Sequence, residues 1–441
     1  MNYSWFRRHR QLLSTKPFTL KATPNRRLHV PVQQVNITAS GHVDGKPSLP
    51  SKAARTSSTV ARPFSNRASC MQTSQSTTTT SINMSPRILI FGTGSIGAVY
   101  SYIFSRAISP ENIFAVCRSN HAVASSEGFT INSTLFGQSL KVRPQVVRTV
   151  DEAVSKSNGK PFDYIIVTAK AIPSTPSLPE QISPAVSEAS TIVLVQNGVA
   201  IEGIYSSRFP RNPLLSCVVY LPATQTSPGT ISHGEIERLH IGTYPAAAPQ
   251  PHKAAAESFA SLLKSAGGTA FLHDDVQSER WNKLLVNASW NPICALSQSR
   301  DVQFMHSSSE ATGLVRKVML EVASIANAAG YPDLSSSKVD HQLGRAKARS
   351  LPGVEPSMMA DALARRNMEV DAIVGNALRI AEDKGVQTPL LKGIYALIKA
   401  LDESFDKSKS QSSSSATTTT TTATTDGATA KGRPSTIAMA Q

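Results

Sequence analysis

The sequence predicts an α/β domain followed by an all-helical domain, with a tail at each end outside the fold. Three observations carry this. From 86 to about 273, short and almost wholly apolar runs alternate with helical stretches. The first run leads directly into a glycine-spaced turn. From about 275 to 403, apolar residues recur at helical spacing throughout.

Residues 1–84 come first and differ from the rest. They hold twelve Lys and Arg against one acid, Asp44, with much Ser and Thr. The start, MNYSWFRRHRQLLSTKPF, mixes arginines with bulky apolar residues, a composition that fits an organelle transit peptide. The alternative is an extension of no function, with Met84 as the true start. The first reading expects a mitochondrial protein, the second a cytoplasmic one.

The α/β domain is expected over 85–274. RILIF (87–91), NIFAVC (112–117), DYIIVT (163–168), TIVLV (191–195) and LLSCVVY (214–220) have strand length. Their fully apolar character suits a sheet covered on both faces. GTISHGEIERLHIG (229–242) alternates and reads as a hairpin. KAAAESFASLLKSAG (253–267) reads as a helix stopped at Gly267 and Gly268.

The helical domain, 275–403, contains helical patterns over 276–297, 309–330, 333–349, 356–385 and 389–404. Gly330 and Gly385 stand where helix stops belong. A helical second domain can mediate a homodimer. In 404–441 a Ser/Thr tract cannot bury enough apolar surface to offset its ordering entropy, so a disordered tail is expected.

Composition removes several function classes. The net charge of +15 suggests a nucleic-acid partner, but most of the excess lies in the tails and the middle is nearly neutral. No apolar run approaches the roughly 18 residues of a membrane helix. The four cysteines, Cys70, Cys117, Cys217 and Cys294, form no CxxC pair, and the histidines show no ligand spacing. No nucleic acid, membrane or metal is therefore expected.

The glycine turn is GTGSIG, with Gly92, Gly94 and Gly97 at GxGxxG spacing between an apolar strand and the helical stretch SIGAVYSYIFSRA. That context makes the motif a dinucleotide signal and the domain Rossmann-type. Gly92 permits the tight turn, Gly94 lets backbone approach a pyrophosphate, and Gly97 lets helix pack on strand. The helix start, with Thr93, Ser95 and Ile96, supplies N–H donors and a positive dipole end. The second strand ends in AVCRS, with Arg118 where an NAD site wants an acid. A guanidinium pairs with a 2′-phosphate, so NADPH/NADP is favoured. An ordinary strand-to-helix turn and a surface arginine are the bland alternatives.

In ERWNKLLVNASWNP, Lys283, Asn287 and Asn291 fall at i, i+4 and i+8, along one side of a helix at the domain junction. A lysine and two amides can orient a small oxyacid or carbonyl compound. On spacing alone, a solvated polar stripe is an equal reading. The order and spacing of ILIFGTGSIG (88–97), TAKA (168–171), QNG (196–198), WNKLLVNASWNP (281–292) and PSMMAD followed by MEVDAIVG (356–375) go further. Over about 86–402 the chain resembles the ketopantoate reductase (2-dehydropantoate 2-reductase) family.

The resemblance implies a Rossmann domain that binds NADPH, a helical domain that closes the cleft, and reduction of a 2-keto acid. It implies Lys283 as the general acid on the ketone oxygen. Asn287, Asn291 and Ser357 would hold substrate, and Asn197 would touch both substrate and cofactor. Lys170 would lie near the nicotinamide ribose and Ala223 against the cofactor. Glu369 would reach the cofactor or the substrate hydroxyl. Without the resemblance Glu369 reads as solvated; for Ser357 a helix cap, for Lys170 a surface lysine and for Asn197 a turn residue stay open as alternatives. Departures fall on the substrate side: Ala360-Asp361 where the family shows Gln-Asp, Val354 where an Asn is expected, and Val218, Val219 and Tyr220 where small or Thr-like residues are common.

The expected activity is NADPH-dependent reduction of a 2-keto acid, with ketopantoate as leading substrate and pantoate, a precursor of pantothenate and coenzyme A, as product. A reductase of another branched keto acid is the runner-up. A non-catalytic NADPH-binding sensor is the reading from a different class.

Overall fold

The computed structural model describes residues 85–417, with side chains to Phe405. The transit-peptide or extension reading of 1–84, and the tail beyond Thr417, lie outside the described residues.

The main sheet has eight strands. Along the chain these are β1 (Ile88–Phe91), β2 (Ile113–Val116), β5 (Gln145–Val147), β6 (Tyr164–Val167), β7 (Thr191–Leu194), β8 (Leu214–Tyr220), β11 (Arg238–Thr243) and β12 (Ala270–Leu272). A smaller sheet contains β3 (Phe129–Ser133), β4 (Gly137–Val142), β9 (Ala223–Ser227) and β10 (Thr230–His233). The main sheet runs β12-β11-β8-β7-β6-β1-β2-β5. Strands β5 to β8 are parallel, and β11 pairs antiparallel with β8. The chain leaves β1 toward β2 and β5, then returns to β6 on the other side. That reversal is the topological switch point at which such sheets bind ligands.

The helices of this half are α1 (Ser95–Phe104), α2 (His121–Glu127), α3 (Val150–Lys156), α4 (Leu178–Ile182), α5 (Gly203–Arg208) and α6 (Gln250–Ser265). Strands β1, β2 and β7 are buried at every position, because helices cover both sheet faces. One face packs on α1, α6 and the smaller sheet through Val99, Ile103, Phe129 and Phe259. The other packs on Val150, Ala153, Ile182 and Tyr205.

Residues 229–242 are not a hairpin. Strand β10 pairs with β3 and β9, and β11 pairs with β8 and β12, in different sheets. Alternation reports that one side of each strand is buried, not that two neighbouring strands share a sheet.

The helical half contains α7 (Gln277–Ser297), α8 (Asp301–Met305), α9 (Ala311–Ala328), α10 (Ser336–Lys347), α11 (Ser357–Leu363), α12 (Asn376–Asp383) and α13 (Pro389–Thr417). Trp281, Leu284, Leu285 and Ala288 of α7 pack with Val315, Val318, Val322, Val374 and Leu391 into a separate core. The pattern over 356–385 breaks after Leu363, with Arg365 at φ +50°, and resumes in a π-helical turn at Asp371–Gly375. Helix α13 runs past the boundary expected at 403. No helix among the described residues is long and apolar enough to cross a membrane.

Candidate active site

The carboxyl ends of β1, β2, β5, β6, β7 and β8 open into one cleft, closed from the other side by α7, α10 and α11. Its volume of about 2130 Å³ exceeds what a drug-sized ligand fills and leaves room for a dinucleotide beside a small acid.

The glycine turn forms one end. Gly92 has φ +88°, and a Cβ there would lie 2.5 Å from Ala169. A Cβ on Gly97 would lie 2.8 Å from Thr168 Oγ1, so α1 can seat on the sheet only without one. Gly94 differs: it is exposed, and nothing stands within 4 Å of where its Cβ would be. That opening lets a ligand reach the backbone. No side chain caps α1, which leaves the N–H groups of its first turn, at Ser95, Ile96 and Gly97, for an anion. Thr93 serves the turn itself. Its N–H donates to the Val116 carbonyl at 2.9 Å and its hydroxyl to the Ile90 carbonyl at 3.2 Å.

Arg118 follows β2 and Arg148 follows β5; both are exposed, line the cleft and make no ion pair among the described residues. Arg148 escaped the sequence reading because β5 is only three residues long. Asn120, also missed, is buried and donates to the Thr93 carbonyl at 2.9 Å. Ala223 opens β9 and lines the cleft. The open space at Gly94, the uncapped helix and two unpaired guanidinium groups fit a phosphorylated dinucleotide.

The other end of the cleft gathers the polar residues. Helix α7 buries its apolar side in the helical core, which leaves Lys283 and Asn287 on the cleft wall. Lys283 Nζ donates to Asn197 Oδ1 at 2.8 Å and to the Val219 carbonyl, and lies 5.3 Å from the centre of the Tyr220 ring. The Asn197 amide nitrogen donates to Glu369 Oε2 at 3.2 Å. Glu369 Oε1 takes the Ala171 N–H at 2.9 Å. Asn197 therefore bridges an ammonium and a carboxylate, and Glu369 is not merely solvated. The tight turn falls to Gly198, at φ +97°, where a Cβ would lie 2.3 Å from the Ala372 carbonyl. The π-helical turn rests on that glycine.

Burial lowers Lys283 from the ordinary lysine value to about 8. Arg280 adds to the effect, while Glu369 and Glu279 oppose it. Lys170 sits across the cleft, ion-paired to Asp361 at 2.6 Å and bonded to the Asn367 carbonyl at 3.1 Å. Asp361, the acid retained beside the departure at Ala360, thus ties the two halves together.

The polar stripe on α7 divides. Asn287 lines the cleft, and no group among the described residues hydrogen-bonds its amide. Asn291 is 3% exposed and does not line the cleft. Its Oδ1 takes the Met358 N–H at 3.3 Å and the Ser357 hydroxyl at 3.4 Å, which docks the start of α11. A substrate-holding role does not suit that place. At 100° per residue, a side chain eight positions on has turned about 80° away from the first. Ser357 itself is exposed on the cleft wall, and its side chain caps nothing. Tyr220 donates to Glu279 at 2.7 Å and fills the space that a small residue would leave open.

The sequence profile described as ketopantoate reductase PanE/ApbA matches residues 88–246. The profile of the C-terminal part of the same family matches 275–402. The chain is 28% identical to an uncharacterised protein of Saccharomyces cerevisiae over 358 residues, covering 73% of this chain and 95% of that one. It is 25% identical to a 2-dehydropantoate 2-reductase of Nostoc sp., covering 71% and 94%. Among solved structures, 2-dehydropantoate 2-reductase from Methylococcus capsulatus matches with a TM-score of 0.62 at 28% identity, covering 72% of this chain and 97% of that one.

Proposed function

The chain belongs to the ketopantoate reductase PanE/ApbA family, and from that premise we propose that it reduces 2-dehydropantoate to pantoate with NADPH, in the supply of pantothenate and coenzyme A. The observation that carries the proposal is the Lys283–Asn197–Glu369 chain at the cleft end of the α7 helix. It sets a half-buried ammonium of lowered pKa beside the carboxyl edge of the sheet.

A reduced nicotinamide dinucleotide supplies, when bound, the hydride for the ketone carbon. Gly94 and the first turn of α1 receive its pyrophosphate. Arg118 and Arg148 favour a 2′-phosphate, and so NADPH over NADH. Lys283, protonated below pH 8, donates a hydrogen bond to the ketone oxygen and stabilises the negative charge that grows there. It then transfers its proton to complete the alcohol and recovers one from solvent. Asn197 and Glu369 keep the ammonium aimed and charged. Asn287, with its amide unclaimed, holds the substrate, and Ser357 faces it from α11.

Tyr220 and the half-exposed Val354 support a second reading, reduction of a different branched 2-keto acid. The test is NADPH oxidation at 340 nm by the purified full chain with 2-dehydropantoate and a panel of 2-keto acids, beside Lys283→Ala. Saturable turnover with 2-dehydropantoate that falls by roughly 10²-fold or more in the variant supports the proposal. Turnover only with another acid supports the second reading. Tight NADPH binding with no turnover would point to a sensor.

A further inference from the structure

We infer that Arg280 is a positioning residue for the proton donor: it clamps the backbone on both sides of Asn197 and so sets where Asn197 holds the Lys283 ammonium. This rests on the assignment of Lys283 as general acid.

Arg280 lies on α7, one turn before Lys283, and is 3% exposed. One terminal nitrogen donates to the Gln196 and Gly198 carbonyls, both at 2.9 Å. Those residues flank Asn197. The other terminal nitrogen donates to Ser216 Oγ at 2.7 Å and to the Cys217 carbonyl at 3.0 Å. Nε donates to Ser216 Oγ at 3.1 Å and lies 3.0 Å from Glu202 Oε1, its ion-pair partner. All five N–H donors of the guanidinium are thereby used.

The counter-ion sits on the far side. Glu202 is fully buried, and Oε1 also takes the Ser216 hydroxyl at 2.6 Å and the Gln277 amide at 2.8 Å. Burial alone would raise its carboxyl, but Arg280, Ser216 and Gln277 outweigh that and hold it below the usual range. One planar fork thus joins α7, the middle of β8 and the turn after β7. Lys283 contacts two of the same elements, through Asn197 and Val219. A shift of the turn relative to the helix would move the ammonium, and displacement by about 1 Å can cost about 10²-fold in rate.

The buried Arg280 charge also acts on the donor's titration, lowering the Lys283 pKa, which an ion pair remote from the site would not do. The charged and titratable groups facing Lys283 are Glu279 and Arg280 on its own helix, Tyr220 on β8, His240 on β11, and Glu369 before the π-helical turn. Of these, Arg280 is the fixed buried cation.

The test uses the full chain carrying Arg280→Lys, Arg280→Gln or Lys283→Ala, assayed for pH-dependent reduction of the best keto acid and for NADPH affinity. Lysine keeps the charge but lacks the planar fork. Both Arg280 variants are expected to lose tenfold or more in kcat while binding NADPH within about threefold of the parent, on the positional sensitivity above. The alkaline midpoint should rise in Arg280→Gln and stay in Arg280→Lys. Parental kcat and midpoint in both variants, with Lys283→Ala inactive, would overturn the inference and leave the general-acid reading standing. Loss of NADPH binding in Arg280→Lys would also overturn it, by making the arginine a fold residue. An active Lys283→Ala would remove the reading beneath it.

Discussion

The lowered pKa of Lys283 gives the rate of the proposed reaction a pH dependence whose size follows from the structure. The perturbation is pH itself, taken from 7 to 9. With a pKa of about 8, the protonated fraction is about nine-tenths at pH 7 and about one-tenth at pH 9, a roughly tenfold fall. On the proposed mechanism reduction needs the ammonium, so kcat/KM for the keto acid should decline about tenfold across that range, with its midpoint near 8. At saturating NADPH that parameter reports the groups that titrate in the enzyme–NADPH complex before the keto acid binds. Oxidation of the hydroxy acid needs the neutral amine and should rise over the same interval. A lysine at its ordinary value would stay more than nine-tenths protonated at pH 9 and show no limb there. Glu369 opposes the lowering, so Glu369→Gln should move the midpoint down. In Lys283→Arg the donor stays charged at every accessible pH, and the limb should vanish from whatever activity survives. The assay is initial-rate absorbance at 340 nm in buffers of constant ionic strength, with NADPH saturating. A profile flat to pH 10, or a limb that persists in Lys283→Arg, would refute the assignment.

Gly92 and Gly94 of the turn should separate by assay. Gly92→Ala forces φ +88° and a clash on Ala169, so it should lose about 1–3 kcal/mol of stability in thermal melts. Gly94→Ala meets no protein atom within 4 Å; its melting should match the parent, while NADPH affinity by fluorescence titration falls tenfold or more on lost backbone approach. Replacing Arg118 and Arg148 together by Ser should lower kcat/KM for NADPH by about 10²- to 10⁴-fold with NADH little changed, because each charge-assisted hydrogen bond contributes about 1.5–3 kcal/mol. Asn291→Ala should cost about 1–3 kcal/mol in denaturant melts through the unpaired α11 N–H. Asn287→Ala should leave the melt alone and raise KM for the keto acid; equal behaviour of the two would sink the division of the stripe.

The chain order of the residues determined a good deal. Apolar runs of strand length around GTGSIG, followed by continuous helical spacing, sufficed for a nucleotide-binding sheet and a helical partner. These are local signals: a turn needing φ > 0, a helix start, a change of period. Lys283 and Asn287 share a face because they are four residues apart, and any helix places them so. What only the tertiary structure decided is long-range. Asn197 meets Lys283 across 86 positions and Glu369 across 172. Arg280 reaches Gln196 and Gly198 because the sheet order sets the end of β7 beside α7. Asn291 shares the polar spacing, yet the turn of the helix carries it under α11, and 229–242 alternates like a hairpin while its strands enter different sheets. Periodicity states which side of an element is buried. The partner on that side depends on strand order and on how the two halves close, and neither is written in the spacing of neighbouring residues.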